Sequence, residues 1–262
     1  MKILRIKAVL LQEFFITKHS LEIFMDMFLF PMVNIVIFGF LSLYLSGNNN
    51  SVAGQYVLLG MLLWNIIWII EYSVCIGSMW NIWFRNLSNM FIAPLQVKEF
   101  LLAHTLSGMI KALVVLLFSS ILSVFVFNFN LLNVGITSLI LIFINFSFFA
   151  FSLGIIMLGL IFRYGTRVQA LAWGIVPIIQ PLSAAFYPLH ILPLPLQFLA
   201  YIFPPTFTFE AARQSLTYHT VDWQLFLFSF GENIIYCIAS ILFFNYMFTK
   251  SKDTGQFARN ES

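Results

Sequence analysis

The sequence predicts an all-α integral membrane protein with six transmembrane helices, and two observations carry this prediction. First, 61% of the 262 residues are hydrophobic and only 9% are charged, whereas charged residues make up about 25% of an ordinary soluble domain. Second, all of the 13 Lys and Arg residues except Lys111 and Arg213 fall in four short stretches separated by long apolar runs. These stretches contain Lys2, Arg5, Lys7 and Lys18; Arg85 and Lys98; Arg163 and Arg167; and Lys250, Lys252 and Arg259.

Basic residues stay on the cytoplasmic side of a membrane, and a helix needs about 20 residues to span it. Each of the three apolar blocks between the basic stretches is long enough to cross, turn and cross back. All four stretches can then face the cytoplasm in a single transmembrane domain, 1–262, with both termini inside. The predicted spans are 21–46, 55–84, 100–127, 131–162, 168–186 and 223–249, and the predicted outer segments are 47–54 and 187–220.

Residues 1–20 are predicted to form an interfacial helix rather than a cleavable signal peptide. The first long apolar run begins only near Leu21, is interrupted by Glu22 and Asp26, and is not followed by a small-residue cleavage site. Before it, apolar side chains share one broad helical arc and polar side chains lie opposite. The arc contains Ile3, Leu4, Ile6, Leu10, Leu11, Phe14 and Phe15, and the polar side contains Lys2, Arg5, Gln12 and Glu13. This pattern favours a helix lying flat at the cytoplasmic headgroups; a simple extension of the first span is the alternative.

The segment before the last span differs from the others in its proline content. The predicted span 168–186 is barely long enough to cross and contains Pro177 and Pro181, and the following apolar run, 191–203, is too short to cross. Pro204-Pro205 ends that run, and a short helix is expected over 206–216. We therefore predict that 187–220 is an outer re-entrant segment that forms a gate or vestibule wall. Its candidate gate residues are Tyr187, Pro188, Glu210 and Arg213.

Residues 85–99, between the second and third predicted spans, indicate one short cytoplasmic helix. Leu87, Met90 and Phe91 recur at helical spacing, and Pro94 ends the turn. An apolar helix face on the cytoplasmic side must pack against something. The two candidates are the lipid headgroup layer and a groove on a soluble partner.

Four motifs, in this order and spacing, make the chain resemble the membrane subunit of type-2 ABC exporters over nearly its whole length. They are the basic N-terminal helix, Arg85 through Ala93-Pro94 to Glu99, Phe186-Tyr187-Pro188 with Leu192-Pro193, and Pro204 through Glu210 to Arg213. The resemblance implies a multi-pass protein of a bacterial-type inner membrane that forms a dimer, with either an identical or a related permease copy. It also implies a separate ATP-binding cassette ATPase subunit and export of a hydrophobic, lipid-linked or polysaccharide substrate from the cytoplasm or inner leaflet.

The same resemblance makes 85–99 the coupling segment that docks into the ATPase. The family often carries acidic residues just after the position of Arg85, whereas this chain has Ser88 and Asn89, so apolar docking is expected. The coupling candidates are Arg85, Leu87, Met90, Phe91, Ile92 and Pro94. The sequence has no Gly-x-x-x-x-Gly-Lys-Ser/Thr loop, so we expect ATP to be used by the partner subunit, with no cofactor and no metal bound by this chain. Its basic residues lie at cytoplasmic edges, which favours membrane lipids over nucleic acid as a further partner.

Ionisable groups inside spans are costly and are usually paired or functional. Glu71 lies 14 residues before Arg85, and Lys111 lies 13 residues after Lys98, which places both about 20 Å from their cytoplasmic ends. This matched depth predicts an ion pair between Glu71 and Lys111, with a place in the translocation path as the alternative. Glu232, in the outer part of the last span, is a further path candidate. Hydrogen bonds between helices are expected for Asn34, Asn65, Asn145 and Asn233.

Two other function classes are the alternatives to an exporter subunit. An intramembrane enzyme would need a nucleophile and base, or a set of metal ligands, but the sequence has no Gly-x-Ser-x-Gly or His-Glu-x-x-His pattern. Its histidines are scattered among different segments at His19, His104, His190 and His219. A passive channel would need a filter, and no span repeats a charged or carbonyl-filter motif.

Overall fold

The computed structural model describes residues 3–47, 51–84 and 95–254, and every regular element within these ranges is helical. We number the α-helices of these ranges in chain order. They are α1 (Ile3–His19), α2 (Leu21–Gly47), α3 (Ser51–Trp83), α4 (Val97–Phe127), α5 (Ile136–Tyr164), α6 (Ala170–Leu182), α7 (Leu194–Ala200), α8 (Pro204–Tyr218) and α9 (Trp223–Asp253). A π-helical turn, Met25–Leu29, lies within α2.

Five helices, α2, α3, α4, α5 and α9, are long and apolar enough to cross a membrane. The chain is therefore an all-α membrane protein.

The predicted fifth span, 168–186, is helical only as α6. Its 13 residues extend about 20 Å, which is shorter than the hydrocarbon core of roughly 30 Å. Helix α6 ends because the Ser183 N–H closes its last turn on the Ile179 carbonyl and Ala184 then adopts a left-handed φ of 50°. The sixth crossing and its place in the predicted layout stay a prediction.

Several predicted helix starts differ from the structure by a few residues: α3 begins at Ser51 rather than 55, and α4 begins at Val97 rather than 100. Two further starts differ for a local reason. The fourth span begins at Ile136 rather than 131, because a 3₁₀ turn at Leu131–Val134 and Gly135, with a φ of 89°, come first. The Asn130 side chain accepts a hydrogen bond from the Leu132 N–H and so fixes that turn. Helix α8 begins at Pro204 rather than at 206, because proline lacks an N–H and is therefore suited to the first turn of a helix.

Helix α3 is the centre of the bundle: 94% of its most apolar window is buried, against 22% to 56% for the other four long helices. Helices α2, α4 and α5 surround it. Small residues allow two of these contacts. A Cβ at Gly108 of α4 would lie 2.9 Å from the Ser73 Cβ, and one at Gly154 of α5 would lie 2.7 Å from the Val74 Cβ. This close approach of backbones is typical of membrane helices.

Hydrogen bonds attach α8 and α9 to α5. Asn233 of α9 donates to the backbone and side-chain oxygens of Asn145 at 3.1 and 3.2 Å, so the expected interhelical bonding is confirmed for this pair. Hydroxyl pairs hold α8 to both neighbours, at 2.7 Å between Thr208 and Ser229 and at 2.9 Å between Ser138 and Ser215. Helices α5, α8 and α9 therefore form one packed unit.

Candidate functional site

A cavity of about 400 Å³ opens between α2, α3 and α6. Its walls combine three indole rings, those of Trp64, Trp68 and Trp173, with amide and carboxylate groups. The polar lining residues are Asp26, Asn34, Asn65 and Gln180, and the apolar ones are Phe30, Pro31, Phe38, Met61 and Pro177. A surface of this mixed kind can bind a ligand that has both polar and apolar parts.

Two polar groups at this cavity differ in how they are satisfied. The Asp26 carboxylate accepts a hydrogen bond of 2.8 Å from the Tyr72 hydroxyl and is thereby held in place. Asn65 is only 3% exposed, yet its Nδ2 has no hydrogen-bond partner among the described residues. Nearly all buried polar groups are paired, so this unpaired donor beside the cavity marks Asn65 as a candidate ligand contact. Its expected hydrogen bond to another helix is not formed through Nδ2.

A second cavity, of about 580 Å³, continues along α2 and α3 toward the predicted outer side. It shares Phe38 with the first cavity, and the Phe38 ring stacks on Phe186 at a centroid distance of 4.8 Å. Its walls are almost entirely apolar, and Tyr187, Pro188 and Ile191 lie at its far end. The two cavities form one groove with a polar half near Asp26 and an apolar half near Phe186. We call it the α2–α3 groove.

The predicted gate residues lie together at the Phe186 end of this groove. Arg213 of α8 is 3% exposed, pairs with Glu210 at 2.9 Å and donates to the Ala184 carbonyl at 2.8 Å. Glu210 in turn accepts a 2.7 Å hydrogen bond from the Leu189 N–H. The loop after α6 is thus held onto α8 from both sides. The Arg213 guanidinium also lies 6.0 Å from the ring of Tyr56, which lines the groove.

Tyr187 and Pro188 shape the loop itself. The Tyr187 hydroxyl donates to the Pro181 carbonyl at 2.6 Å, and partial burial raises the pKa of this phenol above its ordinary value. Pro188 begins the 3₁₀ turn Leu189–Ile191, and its carbonyl accepts from the Ile191 N–H. The sequence identified these residues as a group, but their backbone partners depend on the loop conformation.

The predicted ion pair between Glu71 and Lys111 is wrong. Lys111 Nζ lies 3.1 Å from Glu13 Oε2, on α1, and His104 Nδ1 lies 3.6 Å from the other Glu13 oxygen. The prediction compared only the positions of charged residues in the second and third spans. In the structure, α1 folds back so that Glu13 contacts α4. Glu71 is 2% exposed, and its Oε1 has no hydrogen bond among the described residues.

Two further contacts hold the polar face of α1 against the bundle. Arg5 pairs with Glu99 at 3.4 Å, and Gln12 donates to the Asn81 side chain at 2.9 Å. The apolar face points outward instead, with Ile3, Leu4, Leu11, Phe14 and Phe15 exposed. The sequence pattern separates the two faces only in part, because Ile6 of the predicted apolar arc is buried against the bundle and Leu10 packs there too. The side of α1 that contacts protein therefore combines these apolar residues with Arg5, Gln12 and Glu13.

Glu232 and the coupling candidates are the remaining predicted site residues. Glu232 lies on α9 with one buried oxygen, Oε2, that has no hydrogen bond among the described residues. The coupling candidates Arg85, Leu87, Met90, Phe91, Ile92 and Pro94 lie outside the described residues. Sequence reasoning missed the α2–α3 groove, although Trp64 and Trp68, four residues apart on one helix face, were a signal for it.

Comparison with known proteins supplies the family. No curated protein matches the chain. The family model described as ABC-2 type transporter matches residues 5–217, which is most of the 262 residues and includes the α2–α3 groove and the Glu210–Arg213 pair. The chain therefore belongs to the ABC-2 type transporter family and is the transmembrane component of an ABC transporter.

Proposed function

We propose that this chain is the membrane-spanning subunit of an ATP-driven exporter. It works with a separate ATP-binding cassette ATPase and with a second permease copy, identical or related, in a bacterial-type inner membrane. Members of the family generally work with an ATP-binding subunit and often as dimers. The substrate class is hydrophobic, lipid-linked or polysaccharide, and it leaves from the cytoplasm or the inner leaflet.

The α2–α3 groove is the observation that carries this proposal. A groove that served only helix packing would be filled, and its buried amide would be paired. Here the Asn65 Nδ2 donor is buried without a partner beside the indoles of Trp64 and Trp68. The polar half of the groove suits a polar group of the substrate, and the apolar half beyond Phe38 suits its hydrocarbon part. Among the three substrate classes, this division favours a lipid-linked one.

Helix α3 supports a route by which the ATPase could act on the groove. It runs without interruption for 33 residues, about 50 Å, and joins Trp64 and Trp68 to the segment that begins at Arg85. Because α3 is packed on all sides, a displacement at its end near Arg85 moves the helix as a unit. Docking of an ATPase at Met90 and Phe91 would then change the shape of the groove.

The test is transport by the assembled complex. The chain is co-expressed with a candidate ATPase, reconstituted in proteoliposomes, and assayed for ATP hydrolysis stimulated by lipid-linked oligosaccharide. Trp68→Ala should lower the stimulation about tenfold, since it removes an aromatic contact worth roughly 1–1.5 kcal/mol. Trp223→Ala is the matched control, because Trp223 is 57% exposed on α9 and does not line the groove.

Two outcomes would overturn the proposal. If the purified chain conducts ions in liposomes without any ATPase, it is a passive channel. If Trp68→Ala and Trp223→Ala leave the same stimulated activity, the groove is not the path of the substrate.

A further inference from the structure

A second groove lies between α4 and α9, with α5 as its floor. It begins as a cavity of about 940 Å³ near the start of α4 and the end of α9. A smaller, apolar cavity of about 340 Å³ continues it toward the middle of the bundle, and the two share Leu102 and Phe151. We call this feature the α4–α9 groove. It does not touch the α2–α3 groove at any lining residue.

The end of the α4–α9 groove near the start of α4 and the end of α9 carries positive charge. Lys98 and Lys252 line it from opposite helices, and both are exposed. Neither forms an ion pair with a described residue, whereas Arg5, Lys111 and Arg213 all do. No Asp or Glu is among the lining residues. The two cations therefore face the groove without a counter-charge in the described part of the chain.

One amide lies beside these lysines, and a second lies farther along the groove. Gln96 is two residues before Lys98, whereas Asn245 is seven residues before Lys252, about 10 Å along α9; both amides can donate hydrogen bonds to an anion or an ester oxygen. The deeper cavity exposes only apolar surface, from residues such as Met109 and Phe148. The groove therefore joins an anion-binding rim to a hydrocarbon-binding channel.

The length of the channel matches one leaflet of a bilayer. From Lys98 to Met109, which lines the deep cavity, there are 11 residues of helix. They extend about 16 Å at 1.5 Å per residue, and half of a hydrocarbon core is about 15 Å. A single acyl chain can thus lie along the groove while its headgroup stays at the lysines.

We propose that the α4–α9 groove binds an anionic glycerophospholipid of the leaflet into which Lys98 and Lys252 project. The phosphate lies between the two lysines, and one acyl chain lies along Leu102 and Phe151 toward Met109. Basic sites between transmembrane helices on the cytoplasmic side are suited to anionic lipid headgroups. This lipid is a bound partner of the subunit, and the proposal does not depend on what the α2–α3 groove transports.

The test uses the full chain in neutral detergent, titrated with phosphatidylglycerol or with phosphatidylcholine of the same acyl chains. Retained lipid is counted by native mass spectrometry, and the unfolding temperature is followed in parallel. Lys98→Gln and Lys252→Gln should each raise the half-saturating phosphatidylglycerol concentration about fivefold, as expected for one cation near an anionic headgroup. The matched control is Lys250→Gln, because Lys250 is exposed on the same helix outside the groove, and it should bind as the wild type does.

Leu102→Trp tests the acyl-chain part, since a larger side chain at the junction of the two cavities should weaken binding while both lysines remain. Glycerol 3-phosphate, which has the anion without the chains, should not raise the unfolding temperature. The proposal is overturned if the Lys98→Gln, Lys252→Gln double variant retains phosphatidylglycerol as the wild type does. It is also overturned if phosphatidylcholine binds equally well or if glycerol 3-phosphate stabilises equally. If Leu102→Trp does not fold, the lysine variants decide alone.

Discussion

The ion pair between Glu13 and Lys111 makes a quantitative prediction about stability. The two side chains are 3% and 12% exposed, and breaking a buried pair costs about 3–5 kcal/mol because one charge is left uncompensated. Lys111→Met leaves the carboxylate, which is the more deeply buried partner, so we expect a loss of about 3.5 kcal/mol. Glu13→Gln leaves an amine that can shift toward the surface, so we expect about 2 kcal/mol.

The double variant Glu13→Gln, Lys111→Met removes both charges and should lose only about 2 kcal/mol, which gives a coupling of about 3.5 kcal/mol. In a chain of this size, 1 kcal/mol shifts the unfolding temperature by about 2–4 °C. Lys111→Met alone should therefore lower it by about 10 °C, and adding Glu13→Gln should restore several degrees. The measurement is thermal unfolding of the purified chain in detergent, followed by intrinsic tryptophan fluorescence.

A second cycle provides the control. Glu71 and Lys111 do not pair in the structure, so Glu71→Gln and Lys111→Met should be additive within about 0.5 kcal/mol. Additive losses for Glu13 and Lys111, or coupling between Glu71 and Lys111, would refute the assignment of Glu13 as the partner.

Three further predictions concern the gate, the coupling segment and the topology. Arg213→Met should destabilise the loop after α6 by about 3 kcal/mol, because it removes the ion partner of the partly buried Glu210 and the hydrogen bond to the Ala184 carbonyl, and it should speed proteolysis at 187–192; Arg167→Met, an exposed control, should not. Phe91→Asp should weaken co-purification with the ATPase while the spans still insert, and unchanged substrate-stimulated ATP hydrolysis would contradict the docking proposal. In a background without the two native cysteines, a cysteine at position 49 should react with an impermeant reagent from outside and one at position 89 should not; the reverse pattern would contradict the topology.

The long spans could be predicted because their signal is local. A run of about 20 apolar residues is sufficient to identify a membrane helix, and the predicted boundaries needed no knowledge of neighbours. The helix at Pro204–Tyr218 was also predictable, since two prolines start it and Glu210 and Arg213 lie three residues apart. These features depend on composition and spacing within a single segment.

The partner of Lys111 could not be predicted in the same way. Glu13 is 98 residues away in the chain, and its position beside α4 depends on how α1 folds back. The unpaired Asn65 Nδ2 could not be predicted from the sequence either. Whether this donor finds a partner depends on how α2, α3 and α6 pack together. The short α6 was anticipated by its prolines, but its end at Ser183 depends on the left-handed conformation of Ala184.

The inward polar face of α1 has a consequence for how the protein is built into the membrane. Chains are synthesised from the N-terminus, so Glu13 is available before α4 emerges. A lysine at the centre of an isolated span is unfavourable by about 2.5–3.5 kcal/mol for insertion. Because Glu13 is synthesised before Lys111, a counter-charge is available when Lys111 enters the bilayer. This order lowers the barrier to inserting α4. We expect a chain synthesised without α1 to insert α4 less efficiently than the full chain does.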